Sequence, residues 1–206
     1  MYALVESGSI TKTFTYPKGF ELNGIQYSSQ IFYLWSEAEK QAIGLYAIET
    51  DSSNKKDEQW YINTNESFTF ANNKVTRSWG TATAKKHADT LWTSQDKTDG
   101  LIPEGKDVGD VATRGLKYNL IQTIKKQAAR ILQDTDWYII RKADAGTAVP
   151  SSITTHRAAV RTKATEMETA ITNASDTPAL ETLYTYTEQE DGSVTRPLGE
   201  FPRLED

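Results

Sequence analysis

The chain has 206 residues, no cysteine, two histidines, and 28 acidic against 23 basic side chains. That length accommodates one large domain or two small ones, and the missing cysteines exclude disulfides, thiolate metal sites and thiol nucleophiles. An apolar fraction of 37% is low, but five Trp and ten Tyr offset it, because each aromatic buries a large area.

Charge narrows the partners. The pairs Lys55-Lys56, Lys85-Lys86 and Lys125-Lys126 are dispersed among acids, whereas nucleic-acid binding needs a concentrated basic face, so no nucleic acid is expected. No apolar run reaches the roughly 18 residues that span a bilayer. Met1-Tyr2-Ala3-Leu4 lacks a charged-then-apolar signal segment. No membrane insertion is expected; the chain should stay in the cytosol that makes it or leave on a particle.

In chain order, Ala3 to Val5 and Ser9 to Thr15 read as short strands. Phe20 to Leu22 and Ile25 to Tyr27 flank Asn23-Gly24, the pair that best tolerates the positive φ of a two-residue hairpin turn. Ser36 and Glu39 fit a capping box, and Gly44 suits the left-handed end of the same short helix. Strands are expected at Leu45 to Glu49, Gln59 to Asn63, Ser67 to Phe70 and Val75 to Trp79. Residues 1–80 are thus expected to form a β-rich N-terminal domain with one short helix. Trp60, Tyr61, Phe68, Phe70 and Trp79 must mostly build its core; left exposed, they would form a platform for sugars.

Composition changes after Gly80. Residues 81–107 read as a linker in which Thr81 to Trp92 can form a helix, with Ala82, Lys85, Ala88 and Leu91 at helical spacing. Thr93 to Gly109, rich in Asp, Lys, Gly and Pro, reads as a loop.

Residues 108–173 carry the clearest pattern. Leu116, Leu120, Ile124, Ala128, Ile131 and Leu132 recur at intervals of three or four, as do Ile153, His156, Val160, Ala164, Met167 and Ile171. Thr154, Arg157, Arg161, Thr165 and Glu168 fall mostly outside the second stripe. Two such stripes so close in sequence should pack together as an antiparallel helical hairpin. Asp134-Thr135-Asp136 should end the first helix near Gln133, Ala145-Gly146 should reverse the chain, and Pro150-Ser151-Ser152 should start the second helix. Trp137, Ile139 and Ile140 are expected to fill the hairpin. If the Trp137 indole is sealed there, Trp137→Ala should cost roughly 3–5 kcal/mol.

Beyond these helices, Asn173 to Pro178 breaks the chain. Residues 174–206 are expected to form a short C-terminal hairpin, Leu183 to Thr187 with Ser193 to Arg196 around Glu190-Asp191-Gly192, followed by an extended end that frays or docks. The expected class is α+β: a β-rich unit, a helical hairpin, then a β-hairpin.

No catalytic constellation emerges. His156 lies on an apolar helix face, where a packed histidine is commoner than a ligand, and His87 reads as surface. Two histidines without cysteine do not suggest a metal centre. Asp134 with Asp136, and Glu37 with Glu39, suit turn and cap duties. Gly105 and Gly109 lack the Lys-Ser/Thr of a phosphate loop. No enzyme activity, cofactor or metal is expected.

The run Ala129-Arg130-Ile131-Leu132, Thr135-Asp136-Trp137, Arg141, Gly146, Pro150, His156-Arg157 and Val160-Arg161 resembles the helical region of bacteriophage tail assembly chaperone-like proteins. There the pattern is a leucine-rich helix, Thr-Asp-Trp, an Arg, Gly-x-x-x-Pro and a Tyr-Arg-x-x-Leu-Arg helix. His156 stands here for the Tyr and Val160 for the Leu. Trp35-Ser36-Glu37-Ala38-Glu39 with Ala42-Ile43-Gly44 and Leu45 to Ile48 is similar to a helix-Gly-strand unit near the start of many phage tail-fibre accessory proteins. The resemblance implies a non-enzymatic virion protein, made in the bacterial host cytoplasm, that contacts other tail, fibre or capsid proteins and forms a homo-oligomer. Its role would be a retained tail or tail-fibre component; a transient assembly chaperone is the alternative, and a glycan-binding or capsid decoration protein a further one. Both the kinship and the docking role rest on a hairpin closed on a buried Trp137; an indole facing solvent would remove both.

Overall fold

Tyr2–Glu6 (β1) and Ser9–Phe14 (β2) pair antiparallel across Ser7 and Gly8, which both take positive φ. In the computed structural model, which describes residues 1–204, the chain is an α+β protein that divides into two units, Met1–Thr83 and Ala84–Asp206.

In the first unit Asn23 (φ 51°) and Gly24 (φ 76°) turn Phe20–Leu22 (β3) onto Ile25–Tyr27 (β4), as Asn-Gly chemistry requires. A four-residue helix, Ile31–Leu34 (α1), precedes Glu37–Ala42 (α2), whose start carries the full Ser36/Glu39 capping box. Gly44 ends that turn at φ 80°, where a Cβ would collide with the Val5 carbonyl oxygen. Leu45–Thr50 (β5), Tyr61–Ile62 (β6), Ser67–Ala71 (β7) and Lys74–Ser78 (β8) follow. The main sheet runs β2-β1-β5-β8-β7, antiparallel except between β5 and β8.

Alternation along β1 feeds both faces. Leu4 joins Phe14, Phe20, Ile31, Phe32 and Leu45 on one side, and Ala3 and Val5 join Val75 on the other. Trp60, Tyr61 and Trp79 are buried and Phe68 and Phe70 are half-buried, so these aromatics serve the interior and form no exposed sugar platform.

The second unit departs from expectation first. Residues 81–92 form no helix: Thr83–Ala84 (β9) and Thr90–Leu91 (β10) are extended. The stretch between them has a different duty. Leu116–Gln133 (α4) begins with N–H groups that need acceptors, and the carbonyls of Lys86 and His87 accept from Leu116 and Lys117 at 3.0 Å each. Asp89 accepts from the Gly115 N–H at 2.8 Å. The expected loop after Thr93 contains Ser94–Thr98 (α3), opened by a Thr93/Asp96 capping box, before Val111–Thr113 (β11) pairs with β10.

The helical pair is present with an insertion. Asp136–Ala145 (α5) stands between α4 and Ser151–Asn173 (α6), and Gly146 ends α5 in the left-handed region at φ 69°. α4 and α6 run antiparallel: Lys117 reaches the Thr172 carbonyl, Lys125 reaches Glu168, and Leu132 meets Arg157. Ile153, His156, Val160, Ala164, Met167 and Ile171 are all buried, the full stripe read from periodicity.

Thr177–Tyr184 (α7) replaces the expected start of a strand at Leu183. Asp176 caps it by accepting from the Ala179 N–H, with Pro178 in the first turn. Thr187–Glu188 (β12) and Val194–Thr195 (β13) make a shorter hairpin than expected. The following segment is anchored at Leu198, which is 2% exposed and whose N–H donates to the Leu183 carbonyl at 3.0 Å; residues 205–206, the last of the end expected to fray or dock, lie outside the described residues. Among the described residues no helix is long and apolar enough to cross a membrane.

Candidate interaction site

Short polar side chains bend the chain between α4 and α5. Thr135 leaves helical geometry at φ −114° and ψ 6°, and its hydroxyl donates back to the Leu132 carbonyl at 2.9 Å. Thr135 is buried, so its oxygen needs a further partner.

That partner is Arg157, from the middle of α6. Its Nη1 donates to the Leu132 carbonyl and to the Thr135 hydroxyl, both at 2.6 Å, and its Nη2 lies 2.9 Å from the Asp136 carboxylate. One planar guanidinium thus satisfies a terminal carbonyl of α4, holds the elbow residue and anchors the first residue of α5. Asp136 also sits where the α5 dipole favours a negative charge. Arg157, placed outside the stripe by periodicity, is only 7% exposed.

Trp137 is not sealed in the hairpin. It is 60% exposed, with Ile140 at 63% and Ile139 at 42%. Trp137 and Ile140, three residues apart, share an outward side of α5. The physical reason lies in the elbow. Because Asp136 is tied to Arg157, α5 starts at a set angle and turns its half-buried Tyr138 and Arg141 inward. Space beside α6 is already taken by the Arg157 guanidinium. The Arg141 guanidinium lies 5.3 Å from the Trp137 ring centre and 5.5 Å from that of Tyr138, steadying the exposed indole from behind.

Thr135, Asp136 and Arg157 are therefore brought into direct contact, and Trp137 and Arg141 form a neighbouring stack. His156 and Val160 lie in the α4–α6 seam, both buried. Pro150 and Arg161 sit apart from the elbow: the Pro150 carbonyl accepts from the Thr154 N–H at 3.1 Å, and exposed Arg161 only approaches the Arg157 carbonyl at 3.4 Å. Among the described residues no group of three His, Asp or Glu side chains could hold a metal ion.

Sequence reasoning missed the role of Arg157 and the placement of the C-terminal segment, whose Phe201 and Pro202 line a groove with Ile131 and His156. The signal for Arg157 was available in principle, since a Thr-Asp pair at a helix break needs donors that an arginine on a facing helix can supply. Nothing local marks the C-terminal segment. No family model, curated protein or solved structure matches the chain.

Proposed function

We propose that this protein is a non-enzymatic bacteriophage virion component, a tail or tail-fibre-associated adaptor that acts through contacts with other phage structural proteins and assembles as a homo-oligomer. One observation carries the adaptor role. Trp137 and Ile140, 60% and 63% exposed, project from a helix whose start is locked by a buried arginine. Aromatic anchors on a rigid support are the usual centres of protein interfaces, because little ordering entropy is lost when a partner covers them. An indole facing solvent removes the packing on which both the kinship and the docking role were drawn, so the docking role rests instead on the exposed indole and the phage reading on the residue pattern alone.

The phage assignment is supported by the resemblance of the Thr135-Asp136-Trp137, Arg141, Gly146, Pro150 and Arg157 pattern. The parts of that pattern now have distinct physical duties: Thr135, Asp136 and Arg157 form the clasp, Gly146 ends α5 at positive φ, and Pro150 opens α6. A pattern of this kind is what a displayed helix needs at its two ends. The compact first unit, more than a minimal helical chaperone would require, favours a component retained in the particle.

The test is quantitative mass spectrometry of purified particles, with Trp137→Ala particles alongside. Retention at many copies, reduced by the substitution, is expected. Absence from particles, together with fibre-less particles in a knockout, would establish the transient chaperone instead, and unchanged particles in both variants would reject a role in assembly.

A further inference from the structure

The chain after β13 lies along the seam side of α4 and α6 and closes a groove of about 760 Å³ within the second unit. Ile131, Phe201 and Pro202 give it an apolar floor, and Arg130, Arg196 and Arg203 line it. Arg196 is engaged by Glu200 at 2.8 Å, and Glu200 also accepts from the Tyr186 hydroxyl at 2.7 Å. Arg130 and Arg203 are exposed and have no ion-pair partner among the described residues. Among the described residues Asp134 is the remaining acid in the lining, against the two arginines without partners, and that balance favours an anion.

His156 supplies the second observation. Its side chain is 8% exposed, yet the imidazole makes no hydrogen bond among the described residues. It borders both this groove and an adjoining recess formed with Pro202, Arg203 and Leu204. Its ring nitrogens are not sealed from water, so a ligand oxygen in the groove would take the place of solvent as hydrogen-bond acceptor.

We propose that this groove binds a short acidic peptide segment of a partner protein. A carboxylate sits between Arg130 and Arg203, the adjacent apolar side chain packs on Ile131 and Phe201, and an oxygen of the peptide accepts from the His156 imidazole. The volume suits a few residues of extended chain, and the mixture of apolar floor and a few convergent polar groups is that of a ligand site. This site is separate from the Trp137 face and does not depend on the phage assignment.

The full chain is titrated with a fluorescein-labelled, end-capped peptide of alternating Glu and Leu, and with its Lys-for-Glu counterpart. Saturable binding of the acidic peptide is expected, weaker at high salt, with no binding of the basic one. The double variant Arg130→Glu with Arg203→Glu should weaken it about tenfold or more while helical circular dichroism is unchanged. His156→Phe should weaken binding with the arginines intact, and Trp137→Ala should leave it unaltered. No saturable binding, affinity unchanged in the double variant, loss in Trp137→Ala equal to that in the arginine variant, or preference for a single-stranded oligonucleotide over the peptide would each overturn the proposal.

Discussion

Arg157→Ala removes a side chain that joins α6 to both helices of the elbow. The variant loses two 2.6 Å hydrogen bonds, to the Leu132 carbonyl and the Thr135 hydroxyl, and the 2.9 Å contact to Asp136. Hydrogen bonds from a charged donor contribute about 1.5–3 kcal/mol each, and acceptors left buried carry their own penalty. The Asp136 side chain is 50% exposed, so its ion pair adds at most about 1 kcal/mol and its carboxylate rehydrates when freed. Leu132 is half-buried, so its carbonyl recovers some water as well. The net loss should be about 2–4 kcal/mol. Arg157→Lys keeps a charge but not the fork, and should recover only part of that loss. Urea unfolding followed by helical circular dichroism measures it, because α4, α5, α6 and α7 all lie in the second unit. A loss below about 1 kcal/mol for Arg157→Ala, or a lysine variant as stable as the parent, would refute the clasp.

Trp137→Ala should change stability by no more than about 0.5 kcal/mol, since the indole is mostly in water already; a loss of several kcal/mol in the same urea experiment would show the side chain to be buried in solution. Met167→Ala, by contrast, empties a site that is 1% exposed and should cost about 2–5 kcal/mol by that assay. Gly44→Ala forces a Cβ onto the Val5 carbonyl at φ 80°, and should lower first-unit stability by more than about 1 kcal/mol, read from thermal loss of the near-ultraviolet signal of its aromatic core. A pH effect is expected in the same unit. The Glu37 carboxyl is held below its ordinary value of 4.5, first by the hydrogen bond from Lys40, against the opposing effect of burial, and then by the Tyr2 hydroxyl. Because the folded state binds that proton less readily than the unfolded chain, the stabilisation is present above about pH 4.5 and is lost as pH falls through the folded value. Lys40→Met should flatten that acid limb in urea unfolding at a series of pH values; an identical limb in parent and variant would exclude Glu37 as its source.

The legible parts of this chain were those with a local cause. The stripe from Ile153 to Ile171 is buried as its spacing implies, because a helix of that length has only one side rich enough in apolar groups to face a partner. Asn23-Gly24, the Ser36/Glu39 box, Gly146 and Pro150 act where they stand, since turn and cap chemistry is settled within a few residues.

The elements that escaped sequence reading have distant causes. Residues 85–89 form no helix because the start of α4 needs their acceptors, a demand made from about thirty residues away and invisible in their own spacing. The α3 and α7 caps were local signals, Thr93 with Asp96 and Asp176 with Pro178, obscured by polar surroundings. Most consequential was the competition at the elbow. Hydrophobicity alone assigns the interior to Trp137, yet the interior there went to Arg157, whose fork matches the Leu132 carbonyl, the buried Thr135 hydroxyl and the Asp136 carboxylate. The sequence by itself determined which segments are helix, strand or turn in their strongest stretches; which side chains occupy the space between those segments, and which are left for a partner to cover, was decided only when α4, α5 and α6 met.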